Sequence, residues 1–169
     1  LMKREYDRYW NQERIKKAAA LDLNPLQVIS LASIVQKETS KVDERPRVAG
    51  VYLNRLERSM PLQADPTVIF SKKMAENDFQ QQIKRVLYKD LKLDSPYNTY
   101  MYAGVPPGPI AMPDLSSIEA VLNAEQHNYL FFVADVERPG YHLFARNLSE
   151  HNRNKAKYVK WINSQGVRR

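Results

Sequence analysis

Residues 24–39 read Asn-Pro-Leu-Gln-Val-Ile-Ser-Leu-Ala-Ser-Ile-Val-Gln-Lys-Glu-Thr, and they supply the central helix of the predicted fold. Asn24 is a favourable N-cap residue, and Pro25 suits the first position of a helix. No glycine or proline follows before Thr39, so nothing in the rest of the segment stops the helix. The sequence therefore predicts an apolar helix that begins after Asn24 and continues to about Thr39.

Glu38 is the residue of this helix that points to chemistry. Leu31, Val35 and Glu38 stand at positions i, i+4 and i+7, so the carboxyl extends a face that is otherwise apolar. Partial burial would raise the pKa of Glu38 towards the range that is useful to a general acid. A solvated glutamate near a helix C-terminus is the simpler interpretation, and this feature alone leaves both open.

Helical patterning continues on both sides of this segment. Apolar residues at helical spacing predict four further helices, over 3–20, 46–57, 77–87 and 114–123, and a last helix capped by Ser149. The run 86–88, Val-Leu-Tyr, could equally start a strand. On the last helix, Tyr158, Val159 and Ile162 are expected to face inward.

The remaining segments divide into strands and loops. Residues 129–134 and 141–145 are rich in β-forming side chains and flank a Pro-Gly turn, which predicts a hairpin. Residues 60–69 contain two prolines and are expected to be extended, whereas 94–114 contain five and should form a structured loop. The predicted class is α+β: a helix-rich single domain with a small antiparallel hairpin near 129–145.

Composition limits the class of protein. The 169 residues have the length of one domain and include no cysteine, which excludes disulfides, thiolate metal sites and cysteine nucleophiles. The net charge of +7 is concentrated at the two ends, with +3 over 1–20 and +6 over 146–169, whereas 21–145 carry −2. Nucleic-acid enzymes usually place their positive charge around their motifs, so this distribution argues against a nucleic-acid partner.

The start of the chain is unusual for a complete protein. The sequence opens on Leu1 and is already helical in composition. No apolar run approaches the ~18 residues of a membrane span, and no signal-peptide core is present. We therefore expect a piece of a longer protein, in which residues 1–24 form a helix that leads in from an upstream region.

Familiar motifs for metals, phosphates and serine nucleophiles are absent. The three histidines, at 127, 142 and 151, lack the HExxH spacing and have no cysteine partners. No GxGxxG or P-loop pattern is present, and no serine stands in a GxSxG elbow. We expect neither a metal site nor a cofactor.

A second group of polar and aromatic residues lies in and near the proline-rich loop. Carboxamides, hydroxyls and tyrosine rings suit a sugar better than a phosphate, because they offer neutral donors and flat apolar faces. The group consists of Gln63, Asp65, Tyr97, Asn98, Thr99, Tyr100 and Tyr102. Each of these, taken singly, could instead be a satisfied turn residue or a core tyrosine.

Five short motifs contain most of these candidates. They are IVQKET at 34–39, VYLNRL at 51–56, PLQADPT at 61–67, SPYNTY at 95–100 and GVPPGPI at 104–110, followed by Tyr129 to Ala134, His142, Phe144 and Glu150 to Asn152. In this order they resemble the YceG-like family of endolytic murein transglycosylases, over roughly residues 26–160. The usual family pattern has glutamate where this chain has Gln36, whereas Glu38 matches the family's catalytic glutamate.

The resemblance implies a reaction. These enzymes cleave the β-1,4 bond between N-acetylmuramic acid and N-acetylglucosamine within peptidoglycan strands and leave 1,6-anhydromuramyl ends. Glu38 would act as acid and then as base, because the C6 hydroxyl of the sugar is the nucleophile and no second carboxylate is required. No cofactor is implied.

The resemblance also implies roles for the polar group. Gln63 and the segment 97–99 (Tyr97, Asn98 and Thr99) would hold N-acetyl and hydroxyl groups, and Tyr100 or Tyr102 could stack on a sugar. Asp65 could assist the reaction electrostatically or could belong to a structural turn, and both interpretations stay open. His151 is expected to be a hydrogen-bonding residue at a helix start.

The resemblance further predicts domain organisation, partners and location. Residues 25–169 would be the catalytic domain, and peptidoglycan strands would be the partner, with cell-wall synthases as a family expectation. The full-length protein would act on the extracytoplasmic face of the cytoplasmic membrane. Family members carry an N-terminal membrane anchor and a LysM-like subdomain, and this sequence has a pattern for neither.

Three alternatives stay open. One is a non-catalytic glycan-binding module, which would tolerate the loss of Glu38. Another is a two-carboxylate muramidase, with Asp65 or Glu44 as the second acid. The last is a basic nucleic-acid binder that uses the terminal helices, and its binding would depend steeply on salt.

Overall fold

The computed structural model describes residues 2–83 and 85–165, and this part of the chain contains seven α-helices, one short 3-10 helix and two strands. They are α1 (Met2–Tyr9), α2 (Gln12–Ala20), α3 (Pro25–Glu38), α4 (Arg45–Glu57), α5 (Asp65–Ala75), the 3-10 helix (Asp90–Lys92), α6 (Leu115–Leu122), β1 (Phe131–Ala134), β2 (His142–Ala145) and α7 (Leu148–Ser164). The predicted helix-rich α+β class is confirmed. No single described helix is long and apolar enough to cross a membrane; α2 and α3 meet that requirement only as a pair, bent by 75° at the break between them.

The start of α3 forms as predicted. The side chain of Asn24 accepts a hydrogen bond from the backbone N–H of Gln27 at 2.9 Å, and the side chain of Gln27 accepts one from the N–H of Asn24 at 2.9 Å. This reciprocal capping box satisfies two amide donors that a helix start leaves without partners. Pro25 follows at the first helical position, where its missing N–H costs nothing.

Helix α3 lies in the core and is covered by other elements. Seven of its residues between Val28 and Val35 are buried, and it packs chiefly against α4 and α6. The buried hydroxyl of Ser33 donates to the carbonyl of Ser30 at 2.6 Å and accepts from the N–H of Ile110 at 3.0 Å. This contact fixes the proline-rich loop 94–114 against the helix, and that loop contains no helix or strand, as predicted.

Strands β1 and β2 form the predicted hairpin. They pair antiparallel, with Phe131 opposite Ala145 and Ala134 opposite His142. Helix α7 packs across both strands. The hairpin and α7 together form the layer that faces the end of α3.

Helix α4 holds the segment that leads into β1. A Cβ atom at Gly50 would lie only 2.5 Å from the carbonyl oxygen of Glu125 and 2.5 Å from Nε2 of His127, so only glycine permits this approach. One turn further along, Arg55 Nε donates to the carbonyl of Leu130 at 2.7 Å. These contacts set the position of the hairpin relative to α3 and α4.

The predicted single helix over 3–20 was wrong, because the chain breaks it into α1 and α2. The break falls at Trp10 and Asn11, where the Asn11 side chain accepts a hydrogen bond from the N–H of Arg14 at 2.9 Å. Asparagine competes with the helical backbone for hydrogen bonds and so favours a cap over a helix interior. Trp10 is buried at this corner.

The predicted cap of the last helix was also wrong. Helix α7 begins at Leu148, and Asn147 caps it by accepting a hydrogen bond from the N–H of Glu150 at 2.8 Å. Val159 is 48% exposed instead of facing inward. The other two side chains expected to face inward, Tyr158 and Ile162, are half-buried.

The region 60–87 differs most from the prediction. Residues 60–69 were expected to be extended, but α5 begins at Asp65, because Pro66 fits a first helical turn where no amide hydrogen is needed. The helix stops at Ala75, and Asn77 follows with a positive φ of 50°. Within the described residues, 77–87 form no helix, and the run 86–88 forms no strand.

Candidate active site

A cavity of about 390 Å³ lies between the end of α3, α4, the start of α5, β1 and α7. Glu38, the last residue of α3, is part of its wall. Gln63, Asp65 and Tyr100 line the same cavity, so the fold gathers these four predicted site residues from distant positions in the sequence.

The carboxyl of Glu38 is half-buried and hydrogen-bonded. Tyr52 donates its hydroxyl to Glu38 Oε1 at 2.8 Å. Burial raises the pKa of Glu38 to about 7, and the negative charge of Asp65 adds to this, while the Tyr52 hydrogen bond and the nearby His142 act in the opposite direction. Desolvation is the largest cause, since water is the environment that best stabilises a carboxylate.

Tyr52 is a site residue that the sequence analysis missed. It lies on α4, is only 2% exposed and packs its ring edge-on against Phe132, with centroids 5.8 Å apart. Burial and the neighbouring Glu38 carboxyl raise the pKa of Tyr52 well above its ordinary value, so its hydroxyl stays a donor. Its apolar helical spacing indicated only a core tyrosine, and nothing local indicated the hydrogen bond.

Asp65 and Tyr100 form a pair on the cavity wall. The Tyr100 hydroxyl donates to Asp65 Oδ1 at 2.6 Å. Burial, together with this hydrogen bond to the carboxylate, raises the pKa of Tyr100. Gln63 reaches the wall from a left-handed backbone conformation with φ of 50°, and its N–H donates to the carbonyl of Thr99 at 3.3 Å.

The structure places Asn98 and Thr99 inside the protein and not on the cavity wall, so it does not bring them together with Glu38, Gln63, Asp65 and Tyr100. Asn98 is fully buried, and its side-chain amide donates to the carbonyls of Leu91 and Leu93 at 3.1 and 2.8 Å. Thr99 is 1% exposed, and its hydroxyl accepts from the N–H of Ala64 at 2.9 Å. Both residues fix the loop that carries Tyr100.

Two further tyrosines of the predicted group lie off the cavity wall. The ring of Tyr97 packs against Phe70, with centroids 4.9 Å apart. The hydroxyl of Tyr102 donates to Asp94, and its side chain is 47% exposed. Neither residue lines the cavity, so the stacking role considered for Tyr102 has no support in this arrangement.

One face of α7 completes the wall opposite Glu38. Leu148, His151, Asn152 and Lys155 line the cavity from this helix, at positions i, i+3, i+4 and i+7. His151 stacks on Phe131 with centroids 4.9 Å apart and an interplanar angle of 19°. Sequence reasoning assigned His151 to a helix start, which is correct for its position, but did not anticipate that it faces the cavity.

Gln36, which stands where the family usually has glutamate, has a structural role. Its side-chain oxygen accepts from the N–H of Asp114 at 2.6 Å and from the hydroxyl of Ser117 at 3.1 Å. Its amide donates to the carbonyl of Met112 at 3.1 Å. Gln36 therefore fastens the start of α6 to α3 and does not line the cavity.

Glu44, a candidate second acid, is engaged elsewhere. Its carboxylate accepts from the hydroxyl of Thr39 at 2.9 Å and from the N–H of His142 at 2.7 Å, and it lies 2.8 Å from His142 Nδ1. Burial raises the pKa of Glu44, but these hydrogen bonds outweigh it and hold the pKa below its ordinary value. Glu44 does not line the cavity and instead ties α4 to β2.

A carboxylic acid with a pKa raised to about 7, beside hydroxyl, amide and aromatic groups, is an arrangement suited to acid–base chemistry on a polar substrate. Among the residues that the structure describes, no group of three or more histidine, aspartate and glutamate side chains is arranged to hold a metal ion. The chain belongs to the YceG-like family, whose model matches residues 1–157. The resemblance found in the sequence motifs is thereby confirmed.

The chain is similar in sequence to proteins that are named endolytic murein transglycosylases. The chain is 41% identical over 138 residues to the endolytic murein transglycosylase of Bacillus subtilis (strain 168), a match covering 82% of this chain and 36% of that protein. It is 38% identical over 144 residues to the endolytic murein transglycosylase of Streptococcus pneumoniae serotype 2 (strain D39 / NCTC 7466), covering 85% of this chain and 25% of that protein. The chain therefore spans about a third and a quarter of the length of these relatives.

A solved structure has the same fold. The crystal structure of a YceG-like protein from Listeria monocytogenes superimposes with a TM-score of 0.70 at 36% sequence identity. The match covers 82% of this chain and 42% of that chain.

Proposed function

We propose that this chain is the part of an endolytic murein transglycosylase that cleaves the MurNAc-β-1,4-GlcNAc bond of peptidoglycan. The observation that carries the proposal is the state of Glu38, whose carboxyl lies in the cavity wall with a pKa of about 7. At this pKa both the acid and the base form are populated near neutral pH, as a group with two successive roles requires. Membership of the YceG-like family and the names of the relatives support the choice of substrate.

Glu38 takes part in both halves of the reaction. In its acid form it donates a proton to the glycosidic oxygen while the bond between that oxygen and C1 of the muramic sugar breaks. The C6 hydroxyl of the same sugar then attacks C1, and the Glu38 carboxylate accepts the hydroxyl proton. No water is consumed, the muramic sugar ends as a 1,6-anhydro ring, and Glu38 returns to its acid form.

The neighbouring groups support these steps. Tyr52 holds one oxygen of Glu38 through its 2.8 Å hydrogen bond and so orients the carboxyl. Asp65 brings a negative charge to the same cavity, where it would stabilise the positive charge that develops at C1. Gln63 offers an amide for hydroxyl or N-acetyl groups, and Tyr100 holds Asp65 in place.

The proposed substrate indicates where the protein would act. Peptidoglycan lies outside the cytoplasmic membrane, so we propose an extracytoplasmic site of action. Cell-wall synthases as partners, and attachment to the membrane through an upstream segment, remain predictions.

Digestion of purified sacculi tests the reaction. Glu38→Gln removes the transferable proton and should lower the release of 1,6-anhydro products by at least ~10²-fold, the usual contribution of general acid catalysis. Glu57→Gln is the matched control, because Glu57 is exposed at the end of α4, and it should leave the products unchanged. Full activity in Glu38→Gln would remove Glu38 from the mechanism.

A two-carboxylate muramidase is the second candidate, because Asp65 lines the same cavity as Glu38. Mass spectrometry separates the two reactions, since a hydrolase adds one water at each cut and leaves reducing ends. Asp65→Asn would abolish such a hydrolase, whereas a transglycosylase should keep its anhydro products at a reduced rate. Strand binding with no product of either type from the wild-type chain would favour a glycan-binding module.

A further inference from the structure

Three nitrogen-bearing side chains meet in one corner of the cavity, and none of them has an acidic partner within residues 2–83 and 85–165. They are Arg55 of α4 and His151 and Lys155 of α7, here named the cationic corner. Phe131 lies between two of them, because His151 stacks on its ring at 4.9 Å and the Arg55 guanidinium carbon lies 5.0 Å from the ring centroid.

Arg55 is a buried cation that pairs with no carboxylate in the described part of the chain. It is only 7% exposed, and it donates to two carbonyls: Nε to that of Leu130 at 2.7 Å and Nη1 to that of Pro61 at 2.9 Å. Burial holds the pKa of Arg55 below its ordinary value. A buried charge is costly unless an opposite charge accompanies it, so a cavity-lining Arg55 favours an anionic ligand.

His151 has an unsatisfied polar atom. Its Nδ1 is buried and has no hydrogen-bond partner, the one such side-chain atom in the described part of the chain. Native proteins rarely leave buried polar atoms unpaired, so a residue of the cavity wall carries a nitrogen that lacks its usual partner. Burial lowers the pKa of His151, and the positive charges of Lys155 and Arg55 lower it further.

Lys155 stands one helical turn beyond His151 on the same face of α7, so the two side chains are neighbours. Lys155 forms no ion pair with any described residue. The two carboxyls of the cavity, Glu38 and Asp65, accept hydrogen bonds from neutral tyrosines and form no ion pair with these three side chains. The corner therefore offers donors and positive charge to a ligand from outside.

We propose that the cationic corner binds a carboxylate carried by the glycan. This inference rests on the proposed function, because it adds a contact to the same cavity. A muramic sugar differs from N-acetylglucosamine by a lactyl ether that ends in a carboxyl. In strands without peptides this carboxylate is free, and in strands with peptides it is an amide while the peptide carries carboxylates of its own.

The ligand chemistry follows from the residues. Lysine, arginine and histidine all donate to a carboxylate, and such charge-assisted hydrogen bonds are about twice as strong as neutral ones. A carboxylate also carries a single charge, which the nearby Asp65 opposes less than it would the double charge of a phosphate. The corner thus distinguishes a muramic sugar from its uncharged neighbour and fixes the register of the strand.

Titration of ligands into the Glu38→Gln protein tests the inference without turnover. The three probes are the GlcNAc-MurNAc disaccharide with a free lactyl carboxylate, the same disaccharide with that carboxyl as methylamide, and the disaccharide with its stem peptide. We expect a carboxylate-bearing probe to bind about tenfold more tightly than the methylamide, as loss of a charged hydrogen bond usually costs. Lys155→Gln should remove most of this difference.

Two further variants make the result specific. Lys157→Gln makes the same charge change at an exposed position of α7 that does not line the cavity, and it should bind like the parent. His151→Phe keeps the ring stack on Phe131 without nitrogen atoms and should reduce the discrimination. The carboxylate should also raise the pKa of His151, as followed by its NMR titration.

The outcomes separate the two proposals. If Lys155→Gln weakens the binding of the free lactyl probe alone, the ligand is the lactyl carboxylate. If it weakens the binding of the peptide probe alone, the ligand is a carboxylate of the stem peptide. Both results support the inference. Equal affinity for all probes, unchanged in Lys155→Gln, would overturn the inference and leave the proposed function intact. Failure of every probe to bind would overturn both.

Discussion

At the scale of single residues, two neighbours act on the proton affinity of Glu38 in opposite directions. Tyr52 donates a hydrogen bond that stabilises the carboxylate, whereas the charge of Asp65 stabilises the acid form. Burial outweighs both and brings the pKa to about 7. Each neighbour can be altered by a nearly isosteric substitution, so the balance is open to experiment.

The acid form of Glu38 begins the proposed reaction, so activity should fall as the pH rises through about 7. Tyr52→Phe removes the stabilising hydrogen bond and should move this descending limb to higher pH. Asp65→Asn removes the nearby negative charge and should move it to lower pH. The measurement is the initial rate of anhydro-product release from about pH 5 to about pH 9, and identical limbs in all three proteins would contradict this account.

The same shift makes stability depend on pH. Because the pKa of Glu38 is raised from 4.5 to about 7, the folded state binds this proton more tightly than the unfolded state. The resulting stabilisation is fully present below pH 4.5 and is lost as the pH rises to about 7, at no more than ~1.4 kcal/mol per pH unit. Relative to Glu38→Gln, the wild type should lose free energy of unfolding across this range, as measured by urea denaturation. A constant difference between the two proteins would be inconsistent with a raised pKa.

At the scale of elements, the close contact between α4 and the segment before β1 holds one wall of the cavity in place. Gly50 approaches Glu125 and His127, and the same helix turn also binds them, since Arg47 pairs with Glu125 at 2.6 Å. The hairpin carries Phe131 and therefore one wall of the cavity. The shape of the site thus depends on a residue that does not touch it.

Gly50→Ala should lower both stability and activity. Its new methyl group would meet the carbonyl of Glu125 and the ring of His127 at 2.5 Å, so backbone atoms have to move. Overpacking of this kind costs about 1–3 kcal/mol, which urea denaturation would detect. Ala substitution at exposed Arg58, just beyond α4, is the control and should be nearly neutral. An unchanged midpoint for Gly50→Ala would indicate that the segment before β1 yields without cost.

At the scale of the whole molecule, most of the net positive charge lies outside the segment that contains the proposed catalytic acid. The segment 146–169 carries +6, whereas 21–145, which hold the proposed acid, carry −2. Helix α7 lies within 146–169, and of its cations Lys155 lines the cavity, whereas Arg153, Lys157 and Lys160 are exposed away from it. We infer that the exposed cations attract the domain to the anionic cell envelope.

Binding to purified sacculi should therefore weaken with salt. Raising the ionic strength from about 0.1 M to about 1 M shortens the screening length from ~10 Å to ~3 Å, and cosedimentation should show lower binding. The double variant Arg153→Gln, Lys160→Gln should bind less at low salt and depend less on salt, yet keep the catalytic rate on soluble glycan fragments. Salt-independent binding would mean that the terminal charge has no part in it.

Features that depend on near neighbours could be predicted from the amino-acid sequence alone. The capping box at Asn24, the apolar run that follows it and the turn of the hairpin each act over a few residues, so the pattern predicted α3 and the α+β class correctly. It also singled out Glu38, which lines the cavity. The five motifs in their order also identified the family correctly. Two local signals led to wrong predictions. Pro66 starts helix α5, although the segment was expected to be extended, and Asn11 caps α2, although one continuous helix was expected.

Which polar groups share a site depends on the packing of distant elements and could not be predicted from local patterns. Tyr52 reaches Glu38 across 14 positions, and Tyr100 reaches Asp65 across 35. Asn98 belongs to the same motif as Tyr100 but points inward, because its amide satisfies two buried carbonyls. The physical reason is that propensity and capping fix the backbone locally, whereas the direction and partners of a side chain depend on elements that meet only when the whole core has packed.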